Sequence, residues 1–396
     1  VAEPLDSIRL YPEQLEIIKD QGSSGIQLVM DEKEIAINDY ASIELFATEV
    51  IFREIINEGN IDNAKEITNR FLVDLINLAQ NKDTDIHTLI ETSSAGAAIG
   101  ALTAALQLKS NIKEAVQAAS SGSTQGAVES SVAAGIDVLQ STSAASSGST
   151  AGAIEASIRA SIDDTESALA ASSGAASGAI LGSIEAQINF NEVAEASATG
   201  SAEGAVEASV TQDINVFANI KAASSGSTQG AVEAAVDNDI EASRIVESTA
   251  SGSTAGTVEA LALVGTNTRI ILQPEAVDIK EAVQAASSGS TQGAVESSVA
   301  AGIDYNEAVE ASSYGSTAGA IGASIEAKID IDGVTDAVLK GVSEMDPEVE
   351  AEVEAEVETE TETEAEVEAE VETETEAEVE AEVETEAEVE AEVETE

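Results

Sequence analysis

His87 is the single histidine of the chain, and Asp85 lies two residues before it in a sequence rich in serine. A Ser–His–Asp triad would need a carboxylate and a serine hydroxyl on the two ring nitrogens. No spacing places a serine there, and no second histidine offers a metal pair. A carboxylate or amide recurs at a fixed interval, at Asp85, Asn111, Asp137, Asp163, Asn189, Asn215, Asp278, Asp304 and Asp330, with Glu241 in one further copy. A row of such oxygens suits hard cations. Helix capping explains it equally well, since Asp and Asn accept hydrogen bonds from the free N–H groups of a first turn. The D-x-[DN]-x-[DN]-G calcium loop is absent. Ser-Gly-Ser-Thr recurs, as at Ser121–Thr124 and Ser251–Thr254. It would either face a repeating surface such as ice, glycan or mineral, or hydrogen-bond within and between helices. No phosphate loop is present: no GK[ST] follows the glycines, and no GxGxxG follows a strand. The expectation is therefore no catalytic residue, no cofactor and no metal site in the repeats.

The elements that would position these residues are marked by glycine pairs: Gly96 and Gly100, Gly122 and Gly126, Gly148 and Gly152, Gly174 and Gly178, Gly200 and Gly204, Gly226 and Gly230, Gly252 and Gly256, Gly289 and Gly293, Gly315 and Gly319. The first seven pairs are 26 residues apart, and Gly341 opens a degenerate tenth copy. A fixed period of this size denotes a repeat architecture, one structural unit per copy. Counting from the first glycine, Asp or Asn stands at −11, Ile commonly at −12, and Glu at −8 in several copies (Glu114, Glu166, Glu192, Glu281, Glu307). That is a capping-box pattern. Gly135-Ile136 and Gly302-Ile303 just before it read as helix stops. Each copy is thus expected to be one helix of about 22 residues, roughly 33 Å long, joined to an antiparallel neighbour by a very short turn. Two interior glycines cost roughly 1–2 kcal/mol per helix against alanine. Close approach of another helix backbone, a glycine zipper, offsets that cost. Both glycines of every pair are expected to make that approach. Gly182 extends one pair into a three-glycine stripe. Val128 with Val132, and Ile154 with Ile158, at +6 and +10, form a separate β-branched seam.

The fold class expected is mainly α: a small helical head, an antiparallel stack of Gly/Ala-rich repeats and a disordered acidic tail. A β-solenoid is the alternative, disfavoured by alanine and glutamate richness, and Ser-Gly-Ser-Thr could also split each helix in two. Residues 1–84 hold most of the large side chains. Ile51, Phe52, Ile55 and Ile56, then Ile67, Phe71, Leu75 and Leu78, follow helical spacing. Gly59-Asn60 closes the first of these helices and Asp62 would cap the second. Repeats occupy 85–264, a loop containing Pro274 occupies 265–275, and 276–343 carry two full copies and a degenerate one. Residues 112–137 and 279–304 are identical, IKEAVQAASSGSTQGAVESSVAAGID, a mark of internal duplication. In the tail, 344–396, every even position from Glu348 is glutamate, 25 in all, and like charges on one face oppose strand pairing.

Composition narrows the partners. Net charge is −60, which opposes nucleic acid and anionic lipid. There are no cysteines, so disulfides and thiolate zinc sites are excluded. The chain opens on Val1 without a visible leader, as after processing or truncation, and the cytoplasm is favoured weakly over a cell surface. No 18-residue window is strongly apolar and uncharged. The function expected is a non-enzymatic scaffold that self-associates or presents an extended surface. The tail would keep it soluble, bind divalent cations or dock a basic protein. The alternative is a protein coating a membrane, granule or vesicle through its Gly/Ala helix faces.

Overall fold

The computed structural model describes residues 8–80, 82–266, 277–301, 304–329 and 331–343. The acidic tail, Asp330, the Gly302-Ile303 stop and most of the inserted loop lie outside them. Among the described residues there are fourteen helices and no strand, so the β-solenoid alternative falls. The head contains α1 (Pro12–Gln21), α2 (Ser23–Glu32), α3 (Tyr40–Glu58) and α4 (Ala64–Ala79). Then follow α5 (Ile86–Leu108), α6 (Ile112–Ala134), α7 (Val138–Ala160), α8 (Asp164–Ala186), α9 (Phe190–Gln212), α10 (Val216–Asp237), α11 (Ala242–Thr266), α12 (Ile279–Ala301), α13 (Tyr305–Ala327) and α14 (Ile331–Ser343). Each helix runs unbroken through its Ser-Gly-Ser-Thr or equivalent segment, so that motif does not split the repeat. Helix α11 continues through Gly265 and Thr266, so the insertion begins as helix.

Turns between repeats follow one design. The residue after the helix is left-handed: Lys109, Gly135, Ser161, Gln187, Asp213 and Lys328 all have φ between 55° and 67°. The next N–H then reaches back to the fifth carbonyl before it, as from Ile136 to Ser131 at 2.9 Å, Ile162 to Ser157 at 3.0 Å and Ile214 to Ser209 at 3.0 Å. This is the Schellman closure, and it wants an apolar residue at that second position. The isoleucine at −12 supplies it. The Asp or Asn after it opens the next helix, so three residues end one helix and start another. In the head, Gly59 closes α3 with φ 76°. Helix α4 starts after Asn63 rather than Asp62, because the Asn60 side chain accepts from the Asp62 N–H at 3.2 Å and holds that residue in the turn.

Consecutive helices run antiparallel, but the tightest packing is between helices two apart in sequence. Helices α3, α5, α7, α9, α11 and α13 form one layer, and α4, α6, α8, α10, α12 and α14 the other. Both layers begin in the head. A single core cluster runs from Ile8 through Phe46, Ile51 and Leu75 to Ala115 and Ala119, with the Phe46 and Phe71 rings 6.1 Å apart. Beyond it the core thins to small clusters such as Val206, Ile220 and Leu261 or Ile180, Ala194 and Ile245. Large side chains build the head, and close backbone approach takes over where they run out.

Candidate functional site

The glycine pairs define the repeated seam. A methyl group added to Gly148 would stand 2.7 Å from the Glu91 carbonyl carbon, and one on Gly152 would stand 2.7 Å from the Ala95 Cα. Gly174 and Gly178 face Gln117 and Ser121 in the same way, Gly200 and Gly204 face Ser143 and Ser147, and Gly252 and Gly256 face Glu195 and Thr199. In each case the partner lies 57 residues back, on the helix two before, and both numbers rise together, so the paired helices are parallel. Gly226 and Gly230 meet Leu169 and Ser173. After the insertion the register is unchanged: Gly289, Gly293, Gly315 and Gly319 meet Lys221, Ser225, Glu247 and Ser251, now 68 residues back. The added 11 residues equal the insertion, so the seam is kept across it.

Where the array meets the head both glycines of a pair still face the helix two before, but the second approaches less closely. Gly96 seats on Glu44 of α3, and Gly122 on Lys65 and Thr68 of α4. Their second glycines fit differently. A methyl on Gly100 would stand 2.6 Å from the Thr48 carbonyl oxygen, but its next neighbours are the Phe52 nitrogen at 3.1 Å and the Ile51 Cβ at 3.2 Å. Gly126 is looser still: the Asn69 carbonyl oxygen lies at 3.0 Å, the Asn69 Cα at 3.4 Å and a Val73 methyl at 3.5 Å. The large side chains of α3 and α4 hold these helices further off than the alanines and serines of the later repeats do. Gly126 thus meets the Asn69 backbone less tightly than the later second glycines meet theirs. A methyl on Gly182 would meet the Val128 side chain at 3.0 Å and the Gln125 carbonyl oxygen at 3.2 Å. Of the β-branched seam, Val128 and Ile154 are buried while Val132 is 38% exposed.

The recurring Asp and Asn sit at helix starts. Asp85 accepts from the His87 and Thr88 N–H groups, Asn111 from Glu114, Asp137 from Gln140, Asp163 from Thr165 and Glu166, Asn189 from Asn191, Asn215 from Ala218. Asp278 accepts from Lys280 at 2.9 Å and Asp304 from Asn306 at 2.9 Å. These hydrogen bonds hold Asp85 and Asp163 below the usual carboxylate range, the Thr88 and Thr165 hydroxyls contributing most. Successive caps belong to antiparallel helices and so alternate between the two ends of the stack, and their side-chain oxygens accept from first-turn N–H groups. Among the described residues no group of three or more His, Asp or Glu is placed to hold a metal ion.

The structure does bring a serine to His87. Ser141 Oγ lies 3.3 Å from His87 Nδ1, but that hydroxyl also donates to the Asp137 carbonyl at 2.7 Å. The Asp85 carboxylate is engaged with backbone N–H groups and the Thr88 hydroxyl. The three residues thus close a helix junction rather than line up as a relay.

Polar chemistry concentrates along the layer of α5, α7, α9 and α11. Ser147 Oγ donates to Glu91 at 3.0 Å, Ser251 Oγ to Glu195 at 2.9 Å and Ser143 Oγ to Glu203 at 3.3 Å. Burial, then repulsion from Glu259, Glu91 and Glu207, pushes the Glu203 carboxyl up to about 7, against the Ser143 hydrogen bond. Burial also raises Glu91 and Glu259. In the other layer Glu129 is raised by burial and by its contact with Glu185. Sequence reading missed these carboxylates; the periodic signals were glutamate at −5, as in Glu91 and Glu195, and at +7, as in Glu129, Glu207 and Glu259, while Glu203 at +3 has none.

No protein-family model and no curated protein matches this chain. What can be said of its role comes from the packing above.

Proposed function

We propose that this chain is a non-enzymatic scaffold that presents a long repeating surface and self-associates. The observation that carries the reading is the seating of glycines on the helix two before, repeated at a constant register along the array and ending with Gly341. It supports treating the glycine stripes as a zipper whose role is construction. Nothing in that geometry leaves a seated glycine free to cradle a ligand. The capping residues likewise commit their oxygens to helix N–H groups. The glutamate tail then serves solubility, or binds divalent cations or a basic protein.

The coat alternative needs apolar helix faces turned outward. Helices α5 and α8 are long and apolar enough to cross a membrane, but 72% and 78% of their apolar windows are buried. Exposed large apolar residues among those described are few, Leu263 the most exposed at 66%, and scattered exposed apolar residues are ordinary on protein surfaces. The discriminating experiment is circular dichroism of the full chain with and without lipid vesicles, followed by flotation. Full helicity in buffer and no flotation is expected. Helicity gained only with lipid, or a chain that floats, would replace the scaffold by the coat.

A further inference from the structure

Hydrogen bonds between neighbouring helices of one layer recur at a fixed separation. Ser147 donates to Glu91 at 3.0 Å, Ser251 to Glu195 at 2.9 Å and Gln117 to Ser173 at 3.1 Å, each pair 56 residues apart. In all three the serine stands beside a glycine seated on the partner residue. Glu129 of α6 and Glu185 of α8 keep the same spacing, but there two carboxyls meet in place of a serine and its carboxylate or amide. Gln125, one turn before Glu129, is out of line in another way. It is 8% exposed, its Nε2 donates to Glu129 Oε1 at 2.8 Å, and its Oε1 is buried with no partner. The residue 56 further on is Leu181, which has nothing to donate. From α4, Asn69 hydrogen-bonds the Glu129 carboxyl. Lys65 of α4 is attracted to both carboxyls and to Glu66, while burial holds its ammonium below the usual lysine range.

We propose that Glu129, Glu185 and Gln125 bind one calcium ion across the seam between α6 and α8, with Asn69 at its edge. The two carboxyls are too few alone, and the orphan amide oxygen supplies the third protein ligand. A carboxamide exchanges its oxygen and nitrogen by a half-turn of its outermost bond. After the exchange Gln125 Oε1 stands where Nε2 is now, 2.8 Å from Glu129 Oε1, as two oxygens do when both hold a cation at about 2.4 Å. The exchange gives up one hydrogen bond and turns the buried oxygen toward the carboxyls. Water completes the roughly six to eight oxygens that calcium takes in flexible geometry, whereas magnesium demands a strict octahedron. Lys65 is the competitor, a cation already offsetting part of the pair's charge. The site goes beyond the scaffold reading and uses none of the tail glutamates.

Thermal melts of the full chain in about 0.15 M potassium chloride, with and without about 1 mM calcium, test this, each variant read against its own ion-free melt. Calcium should raise the wild-type melting temperature by roughly 2 °C. Glu129→Gln, Glu185→Gln and the charge-neutral Gln125→Leu should each lose most of that rise. Glu233→Gln, which removes the same charge from the corresponding position of α10, should keep it. The tail is common to all these chains and cancels. Lys65→Gln should reach the wild-type rise at about tenfold less calcium. A wild type that calcium leaves unchanged, an equal rise in Gln125→Leu, or a Glu233→Gln chain that loses as much as Glu129→Gln would overturn the proposal. So would a Lys65→Gln chain that needs more calcium than the wild type.

Discussion

Gly204 and Gly322 separate two costs that a helical glycine can carry. Both lie in helix interiors, where alanine is favoured by about 1 kcal/mol. An added methyl on Gly322 meets open space, but on Gly204 it would stand 2.9 Å from the Ser147 carbonyl carbon. Gly322→Ala should therefore stabilise by about 1 kcal/mol, and Gly204→Ala should destabilise by about 1–3 kcal/mol or more as the layers are forced apart. Urea midpoints read both, and equal shifts in one direction would refute the seam. The carboxylates give a second prediction. Glu203 titrates at about 7 in the folded chain, above its ordinary value of 4.5. Stability from such a group is complete below about pH 4.5 and lost as pH rises to about 7, by about 3 kcal/mol in all. Melting temperature should thus climb on acidification from pH 8 to pH 5. Glu203→Gln should flatten part of that slope and be the more stable protein at pH 8, which separates this site from relief of the overall charge. A slope unchanged in Glu203→Gln would rule out the assignment. Neither behaviour was legible from residue identities, because burial of a glutamate depends on which helix lies beside it. The same holds for Gly126, whose place in the period is regular while its neighbour belongs to the head.

Helix ends were the most legible feature, and the reason is physical. A cap is decided by neighbours within five residues, and Asp or Asn after Ile carries the whole instruction. The twin role of that isoleucine was not read, because −12 belongs to the previous helix's closure and the period alone does not say so. The partner of the glycine face was not legible either. Short turns imply packing against the next helix, yet the glycines select the one after it, a pairing that no local signal encodes. The closures predict their own energetics. Gln187 is left-handed with φ 57°, where Gly135 stands in the equivalent turn. A left-handed non-glycine residue costs about 1–2 kcal/mol, so Gln187→Gly should stabilise by about 1 kcal/mol after the extra freedom it gives the unfolded chain. Gly135→Ala should lose a similar amount. Identical midpoints for the glycine and glutamine forms would show that the turn relaxes instead.

At the scale of the whole molecule, layers alternate, so only even numbers of helices can be added or removed without sending every later helix to the wrong layer. The identical segments 112–137 and 279–304 begin α6 and α12, six helices apart and in the same layer. Recombination between them preserves that parity. A chain lacking residues 112–278 joins Asn111 to Ile279, gives α12 the place of α6 on α4, and seats Gly315 and Gly319 on Glu91 and Ala95 in place of Glu247 and Ser251. Glutamate receives the first glycine in both settings, and a small residue the second. The shortened chain should therefore fold as a cooperative helical protein, melting below the full chain because repeat stability accumulates with neighbours. Deleting only 112–137 shifts α7 and all later helices into the opposite layer. There the glycines of α7 meet Lys65 and Asn69 in place of Glu91 and Ala95, and Ser141 takes the place that Ala115 holds in the core of the head, a place that α12 would fill with an identical alanine. That deletion should melt lower than the longer one despite losing fewer residues. The reverse order, read by thermal denaturation of both, would show that the layers are interchangeable.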